Sequence, residues 1–120
     1  MDVRKLQKIA VAALEDIKAH DIEVFNTTKL SSLFDRIIIA SADSARQTKS
    51  LARSVQDKVL EAGGTLLGTE GEETGDWIVV DLGDIVVHVM QPAVRAYYNL
   101  EELWSSKPAA KKKAAASTDE

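Results

Sequence analysis

The sequence predicts an α/β domain in which helices pack on a mixed β-sheet. Three observations carry that expectation. Two segments, one opening the chain and one in its middle, space their apolar residues with helical period. A continuous β-branched run, Ile37-Ile38-Ile39, lies between them. Two alternating apolar runs then flank Gly83-Asp84. At 120 residues the chain has the usual length of one domain and can bury one sizeable core.

From Val3 to Ala19, Leu6, Ile9, Ala10, Ala13, Leu14 and Ile17 recur at three- and four-residue steps, which predicts an amphipathic helix. Ile22 to Asn26 reads as a short strand and Thr27 to Ser32 as a turn. Arg36 to Ala40 reads as a strand covered on both faces. Ser44 and Gln47 have the spacing of a reciprocal capping box at the start of a second helix. Leu51, Ala52, Val55, Val59 and Ala62 form its buried stripe, and Gly63-Gly64 ends it. Thr65 to Leu67 is expected as a strand and Gly68 to Gly75 as a flexible acidic loop. Between Trp77 and Met90, glycine first in a two-residue loop predicts a type II′ hairpin. That register pairs Leu82 with Ile85, Val80 with Val87 and Ile78 with Val89 on a core-facing side. The other side carries Asp81 with Val86, Val79 with His88, and Trp77 with Met90. Val94 to Trp104 is expected as one or two helical turns. The folded domain is assigned to residues 1–104, and the Lys- and Ala-rich residues 105–120 to a disordered tail.

Composition narrows the function. Without cysteine there is no disulfide framework and no thiolate chemistry. Met1 to Lys8 lead into an amphipathic pattern rather than a signal-peptide core, and no apolar run approaches a membrane span, so a cytoplasmic location is expected. The net charge is −4, with −6 on residues 1–104 and +2 on the remainder. An acidic body suits a basic protein surface and makes direct nucleic-acid contact unlikely or minor.

Enzyme parts are sparse. There is no phosphate-binding glycine motif, and two histidines without cysteine give poor material for zinc, so no metal or cofactor is expected. Ser41 and Ser44 are read as turn and cap residues rather than nucleophiles. Asp81 and His88 are diagonal neighbours on the hairpin. They could form an acid/base pair or a metal site, but a half-buried histidine satisfied by the carboxylate is the preferred reading, with Asp84 fitting the turn. Glu70, Glu72 and Glu73 form either a solvated loop or an electrostatic guide toward a basic partner. The C-terminal lysines read as solubilising rather than as an RNA-binding arm.

Three blocks carry a family resemblance. They are Ile38-Ile39-Ala40-Ser41 through Ser44-Ala45-Arg46-Gln47, then Trp77 to His88 with its D-x-G-D-x-x-V-H pattern, then Tyr98-Asn99-Leu100-Glu101-Glu102-Leu103-Trp104. In that order, over about Leu6 to Trp104, the chain resembles the iojap family, whose bacterial members are ribosomal silencing factors. The resemblance implies a nucleotidyltransferase-like fold without the catalytic carboxylate set, and therefore no enzyme. It implies a translational repressor that binds large-subunit ribosomal protein number fourteen and blocks joining of the small subunit when nutrients are scarce. It also implies possible homodimers and, in organelles, a role in large-subunit assembly. The family pattern favours Tyr98 as a contact. Together with the composition of the second hairpin face, it leads to a partner site centred on Trp77, Met90 and Tyr98 with Asp76 on its rim. The alternatives are a large-subunit assembly factor and, further off, a nucleotidyltransferase using Asp81 and Asp84 for metal.

Overall fold

In the computed structural model, which describes residues 1–104, the Asp2 side chain accepts a hydrogen bond from the Lys5 amide at 2.9 Å and starts helix α1, Val3–Asp16. The helix is shorter than its apolar pattern, which runs on to Ala19. Lys18 turns into the left-handed region at φ 65°. The amides of Lys18 and Ala19 then bond back to the carbonyls of Glu15 and Leu14, a Schellman closure made without glycine.

Strand β1, His20–Asn26, pairs antiparallel with β2, Arg36–Ser41. Helix α2, Ala45–Glu61, carries the chain across to a short β3, Gly68–Glu70. The hairpin β4, Trp77–Asp81, and β5, Ile85–Met90, follows, then α3, Pro92–Tyr98, and α4, Leu100–Trp104. The strand order β1-β2-β5-β4-β3 makes β2·β5 the parallel pair within an otherwise antiparallel sheet. The tail assigned to residues 105–120 lies outside the described residues.

Two further details differ from the sequence reading. The Ser44 hydroxyl accepts from the Gln47 amide at 3.1 Å, as a cap should. Gln47 does not return the bond to Ser44. Its Oε1 accepts from the Asp43 amide, and its Nε2 donates to the carbonyls of Ile17 and Lys18, which ties α2 to the end of α1. The other difference is the strand expected at Thr65–Leu67, which instead falls at Gly68–Glu70. Leu66 packs against the core, and the ladder to β4 begins with the Leu67 amide bonding to the Asp81 carbonyl. The glycine stop of α2 holds: Gly63 takes φ 87°, and the amides of Gly63 and Gly64 bond to Leu60 and Val59.

The hairpin register is the expected one, with Ile78 opposite Val89 and Val80 opposite Val87, and Leu82 donating to the Ile85 carbonyl. Gly83 supplies the positive φ at 91°. All six core-facing hairpin residues are buried beneath α1 and α2 in the main cluster. A smaller cluster lies on the opposite sheet face, where Ile37, Ile39 and Met90 are buried under Phe34, Val94, Leu100 and Trp104. Because α3 and α4 cover that side, β2 is enclosed on both faces, as its β-branched run requires.

Candidate functional site

Trp77 opens β4 opposite Met90, on the sheet face away from α1 and α2. The two side chains have different fates. Met90 is 0% exposed, so it supports the site from below and cannot touch a partner; its place in the expected contact surface is corrected on that ground. Trp77 is half-buried. Its ring meets Tyr98 of α3 at a centroid distance of 4.9 Å, and Tyr98 meets Tyr97 edge-on at 5.0 Å. Exposure rises outward along this row, to 53% at Tyr98 and 81% at Tyr97. An exposed aromatic group of this size is the kind of feature that anchors interfaces.

Asp76 is exposed immediately before Trp77, and its carbonyl accepts from the Gln91 amide at 3.0 Å. Glu70, Glu72 and Glu73 are exposed on the segment leading into it. That segment is pinned rather than loosely strung. Glu70 already belongs to β3. The Gly75 carbonyl accepts from Thr48 Oγ1 at 2.6 Å and from Gln91 Nε2 at 3.2 Å. Gly71, at φ 89°, runs so close to the Trp77 carbonyl that a Cβ would lie 2.0 Å from its oxygen. The acid group is therefore held beside the aromatic row.

The expected Asp81–His88 bond is absent from the geometry. Asp81 Oδ1 accepts from the Gly83 amide at 2.9 Å and so serves the turn. His88 Nδ1 accepts instead from the Trp77 indole Nε1 at 3.0 Å. Burial pushes the His88 imidazole down to about 4, which suits a neutral ring acting as acceptor. With Asp81 engaged in the turn, neither the acid/base pair nor the carboxylate-satisfied histidine describes this face. Among the described residues no three His, Asp or Glu side chains gather as a metal site.

One polar centre escaped the sequence reading. The Arg95 side chain is 9% exposed. Its Nε donates to Glu101 Oε2 at 2.9 Å, and its Nη1 donates to the Asp21 carbonyl at 2.6 Å and to Ser41 Oγ at 2.8 Å. Ser41 thus ends β2 as a buried acceptor for Arg95 rather than as a turn residue. This network locks α3, and with it Tyr97 and Tyr98, to β1, β2 and α4. The available signal was an arginine between Val94 and Tyr98 on a short amphipathic segment, which alone does not separate a buried anchor from a solvated charge. At the same edge His20 lies between Asp21 Oδ2, at 3.1 Å, and Asp43 Oδ1, at 2.9 Å; hydrogen bonds to Asp21 and then Asp43 raise its pKa.

Comparison with known proteins places the chain. A family model described as "Ribosomal silencing factor during starvation" matches residues 1–120. A ribosomal silencing factor of Chromobacterium violaceum is 56% identical over 104 residues, 87% of this chain and 85% of that protein. A crystal structure of a Chromobacterium violaceum protein, 55% identical, superposes with a TM-score of 0.86 over 91% of this chain and 92% of that one. The chloroplastic Iojap protein of Zea mays is 32% identical over 94 residues, 78% of this chain and 41% of that protein.

Proposed function

The chain belongs to the ribosomal silencing factor family, and from that premise we propose that it is a non-enzymatic, cytoplasmic translational repressor. It binds the large ribosomal subunit through large-subunit protein number fourteen and blocks joining of the small subunit under nutrient limitation. The observation that carries this reading is the half-exposed Trp77–Tyr98 pair beside the acidic segment that ends in Asp76. Aromatic anchors of this kind often contribute roughly 2 kcal/mol or more to an interface, and the acidic rim complements a basic ribosomal protein.

Trp77→Ala is expected to remain folded but to lose cosedimentation with purified large subunits. Melting temperature and binding are read on the same variant. Normal binding by a folded Trp77→Ala would move the site elsewhere. In a subunit-joining assay the wild-type chain is expected to leave free small and large subunits in a sucrose gradient. If large subunits bind the chain but still join normally, the assembly role replaces silencing.

A further inference from the structure

We infer that His88 is a positioning residue for the partner-binding face, holding the Trp77 indole in the orientation on which Tyr98 packs. The inference rests on the reading of Trp77 and Tyr98 as contact residues. Its basis is the 3.0 Å bond from Trp77 Nε1 to His88 Nδ1. An indole has a single donor and no acceptor, so this one bond fixes where the edge of the ring points. Asp81, at the other end of β4, accepts from the Gly83 amide and takes no bond from the indole, whose partner is His88. The bond also assigns the imidazole tautomer. Nδ1 must offer a lone pair, so the ring is neutral and its proton sits on Nε2. Burial supports the same state at neutral pH.

The bond matters because of what the ring carries. Trp77 lies over the buried Met90, tilts against His88 with centroids 5.9 Å apart, and presents its other side to Tyr98 at 4.9 Å. Without an acceptor at position 88 the half-buried indole N–H is left unpaired, which favours rotation of the ring toward water. That rotation breaks the packing with Tyr98 and leaves the site to be ordered on binding, which weakens association.

The test uses the full chain labelled with nitrogen-15, in which Trp77 and Trp104 give the indole N–H resonances. Trp77→Phe assigns them by removing one. In His88→Leu the Trp77 resonance should shift and exchange faster with solvent, while Trp104 stays in place. Affinity for purified large subunits should fall roughly fivefold to tenfold, the loss expected for one hydrogen bond. His88→Gln, whose amide oxygen can accept, should recover most of the resonance position and the affinity. An unshifted Trp77 resonance in His88→Leu, or a folded His88→Gln as weak as His88→Leu, overturns the inference. If His88→Leu does not fold, the imidazole nitrogens of the wild-type chain decide: Nδ1 should be unprotonated and hydrogen-bonded with the proton on Nε2 at neutral pH, and a proton on Nδ1 sinks the idea. A failed contact reading shows itself separately, as normal binding by Trp77→Ala, whereas the indole resonance reports on His88 alone.

Discussion

Gly75 sits at φ 75°, and a Cβ there would lie 2.8 Å from the Cβ of Ala45. Its carbonyl also receives Thr48 and Gln91. Gly75→Ala meets both a disfavoured backbone region and a fixed helix start, so it should cost about 1–3 kcal/mol in denaturant unfolding. Because Gly75 is two residues from Trp77, it should also weaken large-subunit binding more than its stability loss explains. His88 gives a second residue-scale expectation. Burial holds its folded pKa at about 4, below the ordinary imidazole value of 6.5. Between those values the unfolded chain binds more protons than the folded one. The sign follows: stability is unaffected by this group above 6.5 and falls as pH drops from there toward 4, by on the order of 2 kcal/mol at pH 5. His20, with a raised pKa, works in the opposite sense: its contribution is complete below 6.5 and is lost as pH rises through its folded pKa. It is a surface group, and solvent screens it. Unfolding curves at pH 7.5 and 5 on wild type and His88→Leu check the assignment. If the variant loses as much stability on acidification as wild type, His88 is not the source.

At the scale of elements, the acidic segment separates two roles. Glu70 stands on β3 opposite Val79, while Glu72 and Glu73 lie between the pinned Gly71 and Gly75. Neutralising all three to Gln leaves those anchors in place. Association with large subunits should slow at low salt with little change in dissociation, and the difference should shrink as salt rises. Equal association rates at low salt would reduce the segment to a solvated connection. The elements also show what a sequence can carry. The hairpin was legible because the glycine turn fixes the register and alternation fixes the faces, each confirming the other. The strand after Gly64 was not. Thr65 to Leu67 is apolar enough for a strand, but pairing depends on where β4 lies, and Leu66 is used for core packing instead. The end of α1 was overrun for a related reason: Ile17 extends the apolar period although Lys18 has left the helix.

For the whole molecule, the central strands of the sheet are buried under α1 and α2 on one face, and α3 and α4 cover part of the other. The hairpin alternation made the first face legible. For the second, it identified the side bearing Trp77 but not how much of that side is covered. Met90 follows the same alternation as Trp77 and is nonetheless buried, because Arg95 fastens α3 across it through groups on β1, β2 and α4. Those partners are distant in sequence, so no local pattern announces them. The same arrangement yields a prediction about the chain's end. The described members of both clusters reach Trp104, and the sequence after Ser105 carries no apolar period, so removing it should shift the melting temperature by no more than about 1–2 °C, less than the effect of a 1 kcal/mol change. The truncation deletes Lys107, Lys111, Lys112 and Lys113 and takes the net charge from −4 to −6. If the partner surface is a basic protein, the more acidic chain should associate with large subunits at least as fast at low salt. If the lysines instead hold ribosomal RNA phosphates, affinity should fall and its dependence on salt should flatten. Comparing cosedimentation of the two chains across a salt series separates these outcomes, and a flattened, weaker curve for the truncated chain would assign the lysines a role in binding that the acidic face alone does not provide.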